Sequence, residues 1–195
     1  MIVDFEIEKN SPLINSCFKI MQTIDLDECT NGVAYKKFIV EWSEYKKSAH
    51  RKNEFIFIDR MDCAEAVKKL IVDNGFKIDH TSRESNHEIH YGRSIDETQI
   101  IEPFFDIHQD DFGGMNCPIV TCIIYLNVCC SGGQLEFYHN DMPETKCYRS
   151  IETQNPSEET CKVVIFDGLL FHNAATYCAG YRYAISFQFP RDTQA

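Results

Sequence analysis

Tyr181-Arg182-Tyr183-Ala184-Ile185-Ser186-Phe187-Gln188-Phe189 alternates without a break between two kinds of side chain. In an extended chain Tyr181, Tyr183, Ile185, Phe187 and Phe189 fall on one side, and Arg182, Ala184, Ser186 and Gln188 on the other. A face so aromatic and aliphatic has to pack, which makes the run a half-buried strand. Arg182 is then directed either at solvent or at the interior of a sandwich or barrel. Working outward, runs of the same character occur at His87–Tyr91, Gln99–His108, Ile119–Asn127, Gln134–Tyr138 and Cys161–Phe166, with Gly, Asn and Pro between them. Short strands so punctuated predict an antiparallel sandwich or open barrel.

The first 75 residues read mainly as helices. Ser11-Pro12 offers an N-cap and a first-turn proline ahead of Leu13, Ile14, Cys17, Phe18 and Met21. From Val33 to Ala49, Phe38, Ile39, Trp42 and Tyr45 recur at helical spacing. Asp62 is placed to cap a further helix with the stripe Ala66, Val67, Leu70 and Ile71, ended by Asn74-Gly75. Phe55–Ile58 reads as a short strand between the last two. With no repeat, linker or low-complexity tract, the expectation is an α+β chain forming one domain over residues 1–195. Residues 1–75 form a helical support layer on a β-sandwich core of residues 76–195.

Composition bounds the function. The net charge of −11 repels phosphate backbones and argues against nucleic acid as a partner. The dense basic cluster at residues 45–52 reads as a solvated helix end. No stretch approaches the ~20 apolar residues that cross a bilayer, and the N-terminus has no signal-peptide pattern. The expectation is a cytoplasmic protein with no membrane partner. Its ten cysteines are then read as free thiols, and none shows zinc-finger spacing. Oligomeric state is not legible.

The chemistry starts at His108-Gln109-Asp110, whose alternation puts an imidazole and a carboxylate on one face of an extended chain. A second His would complete a facial triad of the kind that holds non-haem Fe(II). A second His-x-Asp, His139-Asn140-Asp141, sits in a polar loop before Met142-Pro143, too close to His172 for the intervening strands. After His108 come Thr121-Cys122-Ile123-Ile124-Tyr125-Leu126-Asn127, Gly132-Gly133-Gln134-Leu135-Glu136-Phe137, Val163–Asp167 with His172 just beyond, and Arg182. The Gly132-Gly133 pair reads as a strand entry, since no phosphate-loop pattern follows.

This ordered set resembles the Fe(II)/2-oxoglutarate dioxygenases, in particular their prolyl-hydroxylase-like branch. The pattern is His-x-Asp, Tyr-Leu-Asn, Gly-Gly-x-Leu-x-Phe, a distal His, and an Arg or Lys nine or ten residues later. The Gly-Tyr-Arg-Tyr-Ala-Ile-Ser-Phe run also resembles the ending of lysyl hydroxylases, so the sub-branch stays open. The resemblance covers residues 108 to 187. It implies a double-stranded β-helix, a jelly-roll or cupin-like sandwich with the N-terminal helices packed on it. It implies Fe(II) on His108, Asp110 and His172, with 2-oxoglutarate held by Arg182, Tyr125 and Ser186 beside Ile123. Dioxygen would be consumed, with ascorbate as reductant. A second co-substrate tyrosine, common upstream in the family, has only the displaced Tyr91 to match it.

The implied reaction is oxidative decarboxylation of 2-oxoglutarate coupled to hydroxylation of a substrate C–H bond. A prolyl residue in a protein or peptide leads as substrate. A free amino acid or other small metabolite comes second, and a nucleic-acid demethylase third. A non-catalytic cupin-like binding module is the reading from another class.

Overall fold

The computed structural model describes residues 1–22, 33–35, 56–57, 63–81, 86–94, 100, 106–110, 118–142, 144–154 and 157–192. Its elements are β1 (Ile2–Glu8), α1 (Pro12–Gln22), β2 (Val33–Tyr35), β3 (Ile56–Phe57), α2 (Ala64–Asp73), β4 (Asn86–Ser94), β5 (Ile119–Gly132), β6 (Leu135–Tyr138), β7 (Arg149–Ile151), β8 (Thr160–Asp167), β9 (Phe171–Ala174) and β10 (Tyr177–Pro190). Seven strands form one antiparallel sheet in the order β1-β8-β5-β10-β4-β2, with β3 also on β4. A second sheet has the order β7-β6-β9.

The alternation of β10 places it between two cores. Ile185, Phe187 and Phe189 join Cys122, Ile124, Leu126, Val163 and Ile165 beneath α1 and α2, which contribute Ile14, Cys17, Val67 and Ile71. Ala184 faces the other way, among Tyr125, Val128, Val164 and Phe166 of the large sheet and Leu135, Phe137 and Ile151 of the small one. The architecture is helices, large sheet, small sheet: the expected double-stranded β-helix with helices on its outer face.

Tyr125 and Val128 are three residues apart, so a regular strand would turn them to opposite faces. Both nevertheless lie in the inner core. The register explains it: Arg182 pairs with Val128 but Ala184 with Tyr125, so β5 carries one extra residue there, a β-bulge.

Several expectations for the first 75 residues change. Ile2–Glu8, expected within the helical layer, is an edge strand of the large sheet, paired antiparallel with β8. Its Val3, Phe5 and Ile7 pack on the helix-side core. Its Asp4 reaches Lys162 at 2.6 Å and Arg149 of β7 at 3.0 Å, tying the edges of the two sheets together. Val33–Tyr35, expected to open a helix, pairs with β4 instead. A helix of Ala64–Asp73 forms, but its N-cap is Cys63, without a side-chain cap. Asp62, the rest of the Val33–Ala49 segment, the basic cluster and residues 101–105 lie outside the described residues.

Other readings hold. Ser11 caps α1, its Oγ accepting from the Ile14 N–H at 3.4 Å. Asn74 and Gly75, the latter at φ +85°, end α2. Among the described residues no helix is long and apolar enough to cross a membrane. Cys17, Cys63, Cys122, Cys130, Cys147 and Cys161 are thiols outside any disulfide.

Candidate metal centre

His172, just beyond β8 as read, lies on β9, a strand of its own, opposite Phe137 of β6. On its other side His172 forms a bridge with His108. The His108 N–H donates to the His172 carbonyl at 3.0 Å, and the His172 N–H to the His108 carbonyl at 2.9 Å. This backbone exchange brings the two imidazoles side by side, with ring centroids 4.4 Å apart. Phe166 meets the His172 ring edge-on at 4.7 Å and limits how it can turn.

Each imidazole has its Nδ1 2.8 Å from a backbone carbonyl, Asp106 for His108 and Leu170 for His172. A carbonyl only accepts, so Nδ1 carries a proton in each ring, and Nε2, once without a proton of its own, is the nitrogen offered to a metal. That is the state and orientation in which imidazole ligates a metal.

Asp110 completes the group. Its N–H donates to the Gly168 carbonyl at 2.8 Å, which brings it back beside β9. Oδ1 lies 3.6 Å from Nε2 of both His108 and His172. Oδ2 accepts a 2.5 Å hydrogen bond from the Thr121 hydroxyl on β5. Between the two ligands Gln109 points away and donates to the Leu169 carbonyl. Gly168 is required by space: a Cβ there would stand 2.4 Å from Ile119 Cγ1 and 3.2 Å from Asp110 Cβ. Burial works against ionisation of Asp110, but His172 and His108, when protonated at both nitrogens, outweigh it together with the Thr121 hydrogen bond. Its carboxyl is held below the usual range.

One group of three or more metal-capable side chains converges among the described residues: His108, Asp110 and His172, with ligand atoms within 4.8 Å of one another. Two donors ~2.1 Å from one metal and at right angles stand ~3 Å apart, so a small contraction closes the group on an octahedral ion. His172 and Asp110 are almost wholly buried, while the His108 side chain is 28% exposed, so the group opens on that side. His139 is not part of it; it is exposed and stacks on Tyr148.

From Thr121 the inner face runs toward Arg182. Cross-strand pairs along it are Thr121 with Gln188, Ile123 with Ser186, and Tyr125 with Ala184. Ser186 is buried and Ile123 half-buried. Arg182 starts opposite Val128 and its guanidinium lies over the Tyr125 ring, 5.0 Å from the centroid. One of its terminal nitrogens donates to the Tyr125 hydroxyl at 3.3 Å. Its Nε is buried with no hydrogen-bond partner. A buried guanidinium N–H without an acceptor costs free energy, and an incoming carboxylate relieves that cost. Burial, opposed by Arg182, raises the Tyr125 pKa, so the phenol keeps its proton and can donate it onward.

Tyr91 lies on β4 at the register position opposite Tyr183 rather than Arg182. Sequence reasoning gave Thr121 no role and passed over Gly168. The Asp167-Gly168 turn between two strands was the available sign of it.

No family model and no curated protein sequence matches the chain. Solved structures similar to it include a Pseudomonas putida prolyl-4-hydroxylase, at 14% identity over 97% of this chain and 92% of that one, TM-score 0.44. A Trichoplax adhaerens prolyl hydroxylase, solved with a hypoxia inducible factor oxygen degradation domain peptide fragment, is 18% identical over 96% and 83%, TM-score 0.48. IDO from Bacillus thuringiensis is 13% identical over 98% and 90%, TM-score 0.46. Identity and superposition are both low.

Proposed function

We propose that this chain is an Fe(II)- and 2-oxoglutarate-dependent dioxygenase that hydroxylates a C–H bond. The observation that carries the reading is the pairing, on one inner face, of two different sites. One is the His108–Asp110–His172 group, with each Nδ1 on a backbone carbonyl and each Nε2 turned toward Asp110. The other is Arg182, whose buried Nε has no acceptor. A metal alone explains the first and leaves the second unexplained. A chelating dicarboxylate whose far carboxylate reaches Arg182 accounts for both.

The residues fit those groups. Two neutral imidazoles and one carboxylate suit Fe(II) and, as a facial set, leave three positions open. Arg182 would receive the distal carboxylate of 2-oxoglutarate, with the Tyr125 hydroxyl as a further donor and Ser186 and Ile123 lining the path between. When bound, iron, 2-oxoglutarate and dioxygen together supply the oxidation that inserts an oxygen atom into a C–H bond, with succinate and carbon dioxide as co-products. The protein holds the ligands in one tautomer, orients the co-substrate by its far end, and excludes bulk water with Phe137, Phe166 and Ile123. Asp110 favours hydroxylation over halogenation, because its carboxylate takes the position a halide would need.

The substrate we favour is a prolyl residue in a protein or peptide, on the motif resemblance across residues 108 to 187. A free amino acid or small metabolite is the alternative. The test is succinate release with Fe(II), ascorbate and 2-oxoglutarate, then mass spectrometry of proline-containing peptides for the gain of one oxygen. Wild type without any 2-oxoglutarate dependence would return the chain to the non-catalytic cupin-like binding module.

A further inference from the structure

We infer that Thr121 is the positioning residue of the metal centre, fixing one oxygen of Asp110 so that the other alone is offered to the metal. This rests on the metal assignment proposed above. The Thr121 hydroxyl donates to Asp110 Oδ2 at 2.5 Å, the length of a charge-assisted O–H···O⁻ bond. Both side chains are withdrawn from water, at 1% and 8% exposure, so no solvent competes for the contact.

The donor is held firmly. Thr121 lies in β5 with a partner on each side, Phe166 of β8 and Gln188 of β10. Its branched Cβ further restricts where the hydroxyl points. The acceptor needs such help. The last torsion of an aspartate side chain is broad and nearly two-fold, so an unrestrained Asp110 could present either oxygen or both. With Oδ2 on Thr121, Oδ1 is the atom left facing His108 and His172, at 3.6 Å from each Nε2.

The consequence is a count of open positions. A facial triad of single-atom donors leaves three positions on an octahedral ion, whereas a carboxylate binding through both oxygens occupies one of them. Thr121 thereby protects the vacancy that co-substrate and dioxygen together require, without touching the metal itself.

The experiment titrates the purified apo-protein with Co(II) alone, an optically visible divalent ion, following affinity and the visible d–d spectrum. It compares wild type, Thr121→Val, Thr121→Ser and His108→Ala, with folding checked by circular dichroism. Thr121→Val is expected to bind Co(II) ~10–100-fold more weakly, the usual effect of removing an outer-shell partner, and with altered d–d bands. Thr121→Ser, which keeps the hydroxyl, restores both. Thr121→Val binding within twofold of wild type with the same spectrum overturns the inference, and so does failure of Thr121→Ser to restore it. If wild type and His108→Ala bind Co(II) alike, the metal assignment itself is wrong. If Thr121→Val does not fold, Thr121→Ala removes the same hydroxyl with less bulk and is read in the same way.

Discussion

Replacing Arg182 with alanine tests the proposed co-substrate site and leaves the proposed metal ligands untouched. The guanidinium lies over the buried Tyr125 ring with its Nε withdrawn from water, where water is a poor substitute for a lost donor. A carboxylate gripped by Nε and a terminal nitrogen makes two hydrogen bonds to a charged partner, each worth ~1.5–3 kcal/mol. Breaking one side of a buried charged pair costs ~3–5 kcal/mol. Tyr125 remains as a donor in the variant, so the lower part of that range applies. At ~1.4 kcal/mol per tenfold, apparent 2-oxoglutarate affinity should fall by two to three orders of magnitude. Arg182→Lys keeps the charge but loses the fork, and should fall between the two. The assay is a 2-oxoglutarate titration followed by succinate, with metal content measured on the same three proteins. Iron content should be equal in all three, since Arg182 is not placed among the ligands. An unchanged 2-oxoglutarate dependence in Arg182→Ala refutes the anchor. Parallel loss of iron would show that the two sites are not separate.

His108→Ala and His172→Ala should each abolish metal binding and turnover. His172→Ala should also lower the melting temperature, because its ring packs on Phe166; retained turnover in either would sink the triad. His139→Ala, outside the group, should leave metal affinity unchanged. Gly168→Ala forces a Cβ against Ile119 and Asp110, and should cost ~1–3 kcal/mol of stability by overpacking while weakening metal binding. A variant with normal melting and normal affinity would contradict that. Asp4 tests the sheet edges through pH. The hydrogen bond from Lys162, with Arg149 beside it, lowers its pKa below the ordinary 3.8, against burial. A depressed folded-state pKa stabilises fully above the ordinary carboxylate range and is lost as pH falls through and below it. Asp4→Asn should therefore melt lower at neutral pH, by about 1 kcal/mol or less for a partly exposed cluster. The gap should narrow as pH falls below the ordinary carboxylate range, and a gap independent of pH would count against the ion-pair account.

What the sequence made legible follows from the range of the interactions involved. The β10 alternation and the Asn74-Gly75 stop are settled by neighbours in the chain, and they stand as read. β1 shows the limit. Val3, Phe5 and Ile7 alternate with Asp4, Glu6 and Glu8, a period-two signal as clean as that of β10. Its meaning depends on a partner strand far away, with Asp4 meeting Lys162 across 158 positions. β9 lies beyond local reading, since of its four residues, Phe-His-Asn-Ala, Phe171 alone favours a strand. They are extended because β6 and His108 bond to them on either side.

The candidate site divides along the same line. His108 and Asp110 were legible as an imidazole and a carboxylate on one strand face, while His172, Tyr125 and Arg182 were picked out through the resemblance to the dioxygenase pattern. Thr121 was not, because a threonine on a strand is ordinary and its partner Asp110 is eleven residues away, at the end of a different segment. Its significance appears only when the carboxylate is found buried with one oxygen already committed. The same holds for the tautomers, which are set by the carbonyls of Asp106 and Leu170 and not by the identity of those residues. Side-chain type carries the ligands into the sequence, but backbone path carries their orientation. A transplant of His-Gln-Asp, the distal His and the Arg onto another sandwich would therefore reproduce the motif without the centre. It would need a Thr121-like donor and two carbonyls at the Nδ1 positions before the three ligands faced one point.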